Sequence, residues 1–321
     1  MSLREGAETI VRQCLDVSTG EEVVVVDDGN DPDLVASLLQ VLDETAAYSH
    51  LEYEEPENHG EEPPQAVAEA MMEADVFIAP TRKSITHTRA RVDACENGAR
   101  GATLPGITKE IWNTSLQADY ERVKELSEKV YRMLEDTSKV TVETPSGTGL
   151  RFDVEFDSFY TDTGMAHDPG QFTNLPAGEA HGGVVNASGE LVVDHMPFVP
   201  EDSEGAVLEI EDSRVTGWRN LEEDAKLAHA MKEVEGARNV AEFGFGTNPG
   251  AAVIGNILQD EKVLGTVHIA IGDNTHYFPE GHSRRNGSDI HWDAVCLEPT
   301  VFFDDREVIA RGEPVFLEED F

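Results

Sequence analysis

The sequence predicts an α/β protein in which a small N-terminal domain with a parallel sheet precedes a strand-rich α+β domain. Three observations support this prediction. The 321 residues are a more natural length for two domains than for one. The first third alternates strand and helix patterns, whereas the second half is rich in short strands and glycine. We place the domains at residues 1–110 and 138–321, with a linking helix at 111–137.

Strand and helix patterns follow one another regularly in the first domain. The β-branched run EEVVVVDD predicts the first strand, and the apolar spacing of DPDLVASLLQVLDETA, after an Asp-Pro start, predicts the first helix. The predicted strands are 21–28, 75–81 and 100–106, and the predicted helices are 31–46, 65–74 and 84–99. This β-α-β-α-β order implies a parallel sheet with helices on its faces. The chain lacks a G-x-G-x-x-G segment, so no dinucleotide site is predicted.

The second domain is predicted to be built mainly of strands. A long helix is expected first, around 107–136, where apolar residues recur at three- and four-residue steps. The segment KVTVETPSGTGLRFDVEFD then predicts a hairpin around a Pro-Ser-Gly turn. One more helix is predicted at 222–234, ahead of a glycine-rich stretch at 241–293.

The chain is very acidic along its whole length. It contains 64 Asp and Glu against 24 Lys and Arg, a formal net charge of -40. Because apolar periodicity accompanies this excess, we expect a folded, halophilic protein whose surface carboxylates are tolerated where salt screens their repulsion. Nucleic acid and anionic membranes are excluded as partners, since both attract Lys and Arg. The expected partner is a small peptide or another small-molecule substrate.

The cysteines and the N-terminus indicate a cytoplasmic protein. Cys14, Cys95 and Cys296 lie far apart and are odd in number, which fits neither a disulfide framework nor a zinc finger. The first residues, MSLREGAETIVRQCLDV, carry acidic groups and match neither a signal peptide nor a transit peptide. No apolar run approaches the roughly 20 residues of a membrane span.

Ionisable residues stand on apolar or glycine-rich backgrounds in four segments of the second half. Glu179 lies in NLPAGEAHGG, Glu242 in AEFGFGTNPG and His268 in LGTVHIAIG. In SDIHWD the strand period of two directs His291 and Asp293 to the same face. Each feature also has an ordinary interpretation, such as a turn carboxylate, a hydrogen-bonded core histidine or an exposed pair.

The conjunction of these residues points to a metal site. Burying an ionisable group costs several kcal/mol unless the group is paired or bound to a metal. Two Glu, two His and one Asp form the nitrogen and oxygen ligand set that borderline divalent metals prefer.

The same segments carry a family resemblance. NLPAGEA, AEFGFGTNP, GTVHIAIG and IHWD resemble, in this order, the signature segments of the aminopeptidase T and S family of dinuclear metallopeptidases, as does SITHTRARVDACENGARGATLPGIT. The resemblance implies a homodimeric metalloaminopeptidase that removes N-terminal residues from peptides with a metal-activated water. It places two divalent ions, Zn, Co or Mn, on one ligand set: Glu179, Glu242, His268, His291 and Asp293.

The catalytic residues depart from the family pattern at one position. One of the two Glu would bridge the ions or act as general base, and we assign this role to Glu179. The family tyrosine that stabilises the tetrahedral intermediate falls on Thr275. His276 and Tyr277 are adjacent candidates for its role, and strand alternation would direct only one of them inward.

A second enzyme remains open. The ring-cleaving 2,5-dihydroxypyridine dioxygenases are similar to the same family and bind one Fe(II) through two His and one Asp. His268, His291 and Asp293 would supply that triad, with Glu179 as an acid-base residue and Glu242 as a structural one. A third alternative is a metal-binding relative without catalytic activity.

Substrate contacts are predicted at three basic residues. His87 lies where a parallel sheet presents ligand-binding groups, near a helix N-terminus that favours anions. Arg284 and Arg285 precede the His291 segment and would clamp a substrate carboxylate, or pair with surface acids. His181 and His195 are candidates for supporting the ligands.

Overall fold

The computed structural model describes residues 2–197, Val199 and residues 203–318, so residues 1, 198, 200–202 and 319–321 of the predicted domains lie outside the described residues. The helices are α1 (Leu3–Glu8), α2 (Pro32–Leu42), α3 (Gln65–Glu73), α4 (Arg89–Glu96), α5 (Lys109–Trp112), α6 (Tyr120–Glu135), α7 (Lys226–Glu233) and α8 (Ile257–Asp260), with a π-helical turn at Thr9–Cys14 and 3₁₀ turns at Ser115–Gln117 and Val315–Glu318.

The strands fall into an early and a late series. The early strands are β1 (Glu22–Asp27), β2 (Ala47–Glu52), β3 (Val76–Ala79), β4 (Arg100–Thr103), β5 (Lys139–Glu143), β6 (Gly149–Asp162) and β7 (Phe172–Asn174). The late strands are β8 (Glu179–Val192), β9 (Val207–Glu211), β10 (Arg214–Arg219), β11 (Val240–Gly246), β12 (Val267–Gly272), β13 (His291–Cys296), β14 (Thr300–Phe303) and β15 (Arg306–Ile309).

The chain divides into two compact units, each with its own sheet. The first unit contains Met1–Glu125, Asp162–Ala177 and Asn248–Ala252. The second unit contains Leu126–Thr161, Gly178–Thr247 and Val253–Phe321. A parallel sheet in the first unit and a strand-rich second unit confirm the predicted fold class.

The first unit is built on a parallel sheet with the strand order β2-β1-β3-β4-β7. The four valines of β1 are buried, as expected for a strand covered on both faces. The sequence pattern missed β2, because most of its residues are exposed and lack an apolar run. It also missed β7, a three-residue strand whose Phe172 stacks on Phe77 from β3.

The unit boundaries differ from the continuous domains predicted from the sequence. Asp162–Ala177 follows β6, yet it belongs to the first unit because β7 pairs with β4 there. Asn248–Ala252 also belongs to the first unit, where the Asn248 amide donates to the carbonyls of Ser115 and Ala177. Both excursions depend on pairing between distant segments, which local patterns do not report.

The predicted helix over 107–136 is interrupted in the structure. It is replaced by α5, a 3₁₀ turn and α6. The side chains of Asn113, Thr114 and Ser115 bond to the carbonyls three or four residues earlier and so compete with the helical backbone. No helix among the described residues is long and apolar enough to cross a membrane.

The second unit is built on a sheet of ten described strands. Its main path is β13-β12-β11-β8-β6-β5-β14-β15, and β9 pairs with both β8 and β10. The predicted hairpin is present, since β5 and β6 pair antiparallel on either side of the Pro-Ser-Gly turn. Aromatic side chains fill the core, and Phe243 on β11 lies with its ring centroid 5.0 Å from that of Phe152. Packing of this core holds β11 in place between β8 and β12.

We predict that Phe243→Ala lowers the free energy of unfolding by about 3–5 kcal/mol, because it leaves a cavity under β11 that the surrounding core fills only partly. Urea denaturation measures the change. Val253→Ala, at a position 40% exposed in the same unit, is the control and is expected to stay within about 0.5 kcal/mol. Equal effects of the two substitutions would contradict this account of the core.

Candidate metal centre

The five ligands predicted from the sequence lie on four neighbouring strands of the second unit. Glu179 begins β8 and pairs with Gly246 of β11, and Glu242 of β11 pairs with Ala270 of β12. Ala270 in turn pairs with Asp293 of β13. Directly paired residues share a face of an antiparallel sheet, so these carboxylates project to the same side. The sheet register brings the predicted ligands together.

Small residues alternate with the ionisable ones on this face. Gly183, Gly244, Gly246, Ala270 and Gly272 occupy the positions between the larger side chains.

Gly244 is the most constrained of these small residues. It pairs with His181 on one side and His268 on the other. A Cβ at Gly244 would lie 2.0 Å from Cε1 of His268, so no other residue leaves room for the imidazole. The glycine-rich segment AEFGFG is therefore required by the side chains that surround it.

Glu242 is the centre of the cluster. Its Oε1 lies 3.2 Å from Nδ1 of His181 and 3.4 Å from Nε2 of His268. Its Oε2 lies 2.8 Å from Nε2 of His291. One buried carboxylate thus faces three imidazoles, and contacts to both of its oxygens fix its orientation.

The remaining ligands lie around this carboxylate. Nε2 of His291 is 3.5 Å from Oδ1 of Asp293, and Nε2 of His268 is 3.6 Å from Oε2 of Glu179. His291 Nδ1 lies 2.8 Å from the Asp273 carbonyl oxygen and donates a hydrogen bond to it. The lone pair of Nε2 is then the one that can bind a metal ion. Three overlapping groups have ligand atoms within 4.8 Å of one another: Glu179, Glu242 and His268; Glu242, His291 and Asp293; and Glu261, His268 and Asp293.

Sequence reasoning missed Glu261 and Lys262. The Lys262 ammonium lies 2.5 Å from Oε1 of Glu179 and 2.7 Å from Oε1 of Glu261, and Lys262 is only 4% exposed. The segment LQDEKV suggests a solvated surface, since four consecutive polar residues, three of them charged, stand between two apolar ones. A buried lysine between two carboxylates has no local sequence signal.

His195 supports this segment from outside the ligand cluster. Its Nε2 lies 2.8 Å from Oδ2 of Asp260, which is fully buried at the end of α8. The backbone N–H groups of Ile254 and Gly255 also donate to Asp260. His195 therefore anchors the loop that presents Glu261 and Lys262.

The donor set fits a divalent metal ion. Oε2 of Glu179 is buried and has no hydrogen-bond donor among the described residues. Such an atom loses solvation without replacement, and a bound cation would supply the missing partner. Burial, together with the charges of Asp293 and Glu179, raises the pKa of Glu261 to about 7 despite Lys262, which shows how crowded the carboxylates are. A bound cation relieves this crowding.

In the metal-free protein, the neighbouring carboxylates raise the pKa values of the histidines. Burial alone would lower the pKa of His268, but its bond to Glu242 and the charge of Glu179 raise that pKa to about 9. His291 behaves alike, since Asp293 and Glu242 outweigh burial and raise its pKa well above the usual range. Burial opposes ionisation of Glu242, yet bonds from His181, His268 and His291 lower its pKa well below the usual value.

Tyr277, and not His276, points into the cluster. The Tyr277 hydroxyl lies 2.7 Å from Nδ1 of His181, and burial together with Glu242 and Glu179 raises its pKa well above the usual value. His276 is exposed, and the Thr275 hydroxyl donates to Asp273 instead. Only one of the two candidate residues faces inward, but they lie in a turn and not in the strand that the alternation argument assumed.

The predicted substrate-binding residues make other contacts. Arg284 forms an ion pair with Asp212, the surface pairing that the sequence also allowed. Arg285 donates to the carbonyls of Thr275 and Phe278 and so holds the loop that carries Tyr277. His87 belongs to the first unit and precedes α4. The structure does not test whether these residues contact substrate, so that role stays a prediction.

The fold and the donor set together place the chain in a class of α/β proteins that carry a candidate metal centre on one face of an antiparallel sheet. The family described as NicX, 2,5-dihydroxypyridine 5,6-dioxygenase, matches residues 8–316. The chain belongs to this family. A search of curated protein sequences finds no significant match.

Two solved structures share the fold. A 2,5-dihydroxypyridine dioxygenase from Pseudomonas putida KT2440 has a TM-score of 0.75 at 18% identity, over 98% of this chain and 96% of that one. Wild-type AmpT from Thermus thermophilus has a TM-score of 0.70 at 18% identity, over 98% of both chains. The resemblance to aminopeptidases T and S is thus supported at the level of the fold, and the dioxygenase family is the better match.

We predict that Gly244→Ala weakens metal binding at least about 10-fold, the scale expected when a ligand's supporting contact is lost. The added methyl group would displace the His268 imidazole. Titration of the metal-free protein with Mn²⁺ measures the change. Gly149→Ala is the control, because a Cβ there has no neighbour within 4 Å. Unchanged affinity in Gly244→Ala would mean that His268 does not bind the ion.

Metal binding is predicted to release protons near pH 7. His268 carries a proton below its raised pKa of about 9 in the metal-free protein, whereas a metal requires the neutral imidazole. Affinity should therefore rise with pH and level off above about pH 9. Calorimetric titration in buffers of different ionisation enthalpy counts the released protons. Absence of proton release, with affinity independent of pH, would contradict the prediction.

Proposed function

We propose that the chain is an oxygen-dependent dioxygenase that cleaves the ring of a hydroxylated pyridine or a closely related aromatic substrate. The family match over residues 8–316 is the observation that carries this proposal. In the 5,6-dioxygenase reaction of the family name, the ring bond between carbons 5 and 6 breaks and each carbon gains one oxygen atom of O₂. No external reductant is consumed.

One Fe(II) ion is the cofactor that suits this reaction. We assign His268, His291 and Asp293 as its ligands, because two imidazoles and one carboxylate form the facial triad of non-haem iron oxygenases. Asp293 links the two histidines, since it shares one candidate group with His291 and another with His268. When bound there, Fe(II) supplies the redox chemistry that couples O₂ to the substrate. The Asp273 carbonyl supports the assignment, since it accepts from His291 Nδ1 and leaves Nε2 for the ion.

Three residues beside the triad are proposed to hold and transfer protons. Tyr277, His181 and Glu242 meet at one atom, since the Tyr277 hydroxyl lies 2.7 Å and Oε1 of Glu242 3.2 Å from the same Nδ1 of His181. A substrate hydroxyl near these groups can pass its proton to His181 or Glu242, while Tyr277 keeps its own proton. Glu179 is proposed as the acid-base residue, and its Oε2 lies 3.6 Å from Nε2 of His268.

Aromatic side chains are proposed to orient the substrate ring. Tyr160 is 43% exposed and lies with its ring centroid 5.5 Å from that of His276 and 6.2 Å from that of Tyr277. Such rings pack well against a planar heteroaromatic ring. The acidic net charge of -40 supports the further proposal that the substrate is a small molecule and not a nucleic acid.

A metalloaminopeptidase is the second candidate. It is favoured by one observation: Glu179 and Glu242 are both buried in the cluster, 5% exposed each, where a dinuclear centre would use them. Two Zn, Co or Mn ions about 3.5–4 Å apart would then activate a water molecule. Glu179 would serve as the general base and Tyr277 would stabilise the tetrahedral intermediate.

Oxygen uptake separates the two candidates. The protein, reconstituted anaerobically with Fe(II), is expected to consume one O₂ per molecule of 2,5-dihydroxypyridine, and the Zn form is expected to release nothing from aminoacyl amides. His291→Ala should reduce uptake by more than the roughly 10–100-fold that follows loss of a ligand's hydrogen-bond partner. His229→Ala, at an exposed site on α7, is the matched control and should retain full activity. Hydrolysis of aminoacyl amides without oxygen uptake would reverse the assignment.

A further inference from the structure

We propose that Lys262 limits the centre to one divalent ion, because its ammonium group supplies beside Glu179 the positive charge that a second ion would otherwise supply. The inference deepens the proposed function and rests on its metal centre.

Lys262 is held as a fixed internal cation. It is 4% exposed, and its ammonium is 2.5 Å from Glu179 and 2.7 Å from Glu261. A lysine is rarely this buried unless it is paired, and here it faces two carboxylates at once. The pairing with Glu179 joins segments 83 residues apart in the chain.

The backbone around Lys262 prevents the side chain from swinging away. Its N–H donates to the Gln259 carbonyl, and Asp260 is held by His195 and by two backbone N–H groups. The opposing strand is shaped for this loop. A Cβ at Gly246 would lie 2.2 Å from the Val263 carbonyl oxygen and 2.9 Å from the Lys262 carbonyl carbon, so only glycine admits the loop.

The ammonium also occupies one of the two oxygens of Glu179. A carboxylate that bridges two ions with one oxygen on each needs both oxygens, but Oε1 of Glu179 accepts from Lys262. Only Oε2 remains, and it faces Nε2 of His268 at 3.6 Å. Glu179 can therefore serve one ion or act as an acid-base group, whereas bridging would require Lys262 to leave.

The charges of the cluster lead to the same conclusion. Within the part of the chain that the structure describes, four carboxylates belong to the cluster: Glu179, Glu242, Glu261 and Asp293. One divalent ion together with Lys262 brings three positive charges against them. A second divalent ion would bring five and would have to lie against the ammonium at Glu179, where the two cations repel each other in a buried site. Removing the ammonium exposes a carboxylate pair, Glu179 and Glu261, that then requires another cation.

Metal stoichiometry tests the inference without substrate. The metal-free full chain is dialysed against Mn²⁺ and the bound metal is measured by elemental analysis, with electron paramagnetic resonance to distinguish an isolated ion from a coupled pair. Wild type is expected to bind one ion per chain. Lys262→Met, which keeps the length of the side chain and removes its charge, is expected to bind two, with the signal of a coupled pair.

Three further variants separate charge from packing. Lys262→Gln keeps a hydrogen-bond donor without the charge and is expected to bind two ions, so it tests the proposal if Lys262→Met does not fold. Lys262→Arg keeps the charge and is expected to bind one. Lys139→Met removes a surface lysine, 43% exposed and paired with Asp153, and is expected to bind one.

Two ions in the wild type, or one ion in a folded Lys262→Met or Lys262→Gln protein, would overturn the inference. Failure of the proposed reaction is distinguishable from these outcomes. A wild type that binds one ion, and Lys262 variants that bind two, support the inference even if no oxygen is consumed with hydroxylated pyridines. Conversely, oxygen uptake by a wild type with two ions would retain the oxygenase and remove the role of Lys262.

Discussion

The second unit depends on the compensation of buried negative charge. Glu179, Glu242 and Asp293 are each at most 6% exposed on one face of the antiparallel sheet, and Glu261 lies beside them. Buried carboxylates are strongly unfavourable unless positive charge or hydrogen-bond donors surround them. Imidazoles and the Lys262 ammonium meet part of this requirement, and Oε2 of Glu179, which has no hydrogen-bond donor among the described residues, is where a cation would meet the rest.

The glycines and alanines of the sheet follow from this requirement. Four strands converge on the cluster, and the positions between the ionisable residues are small because other groups lie close over them: the His268 ring over Gly244, the Tyr277 and Phe278 side chains over Gly183, and the backbone of Val263 over Gly246. Gly244 shows this most clearly, since it is paired with two histidines and tolerates no Cβ. A rigid sheet holds the donor atoms close without the ion, so little ordering remains to be done when a metal binds.

The same ligand positions suit two chemistries on one fold. Fold resemblance extends to a dioxygenase and to AmpT at equal identity, 18%, so the fold by itself does not choose between oxygen chemistry and hydrolysis. The family match favours the dioxygenase. Two groups beside the triad distinguish this site from the peptidase pattern. Lys262 neutralises Glu179. Tyr277 contacts His181 from a position two residues after the one that the peptidase pattern indicates.

Local patterns in the sequence determined the fold class and the five residues that lie together at the centre. Alternation placed His291 and Asp293 on one strand face, and the burial of charged groups among glycines marked Glu179, Glu242 and His268. Tertiary structure alone decided the rest. The β7 strand joins the first sheet and Lys262 reaches Glu179 because segments far apart in the chain meet, and Tyr277 rather than His276 faces inward because a loop held by Arg285 directs it. A periodic pattern records which side of an element is buried, and it carries no record of which distant charge lies against that side.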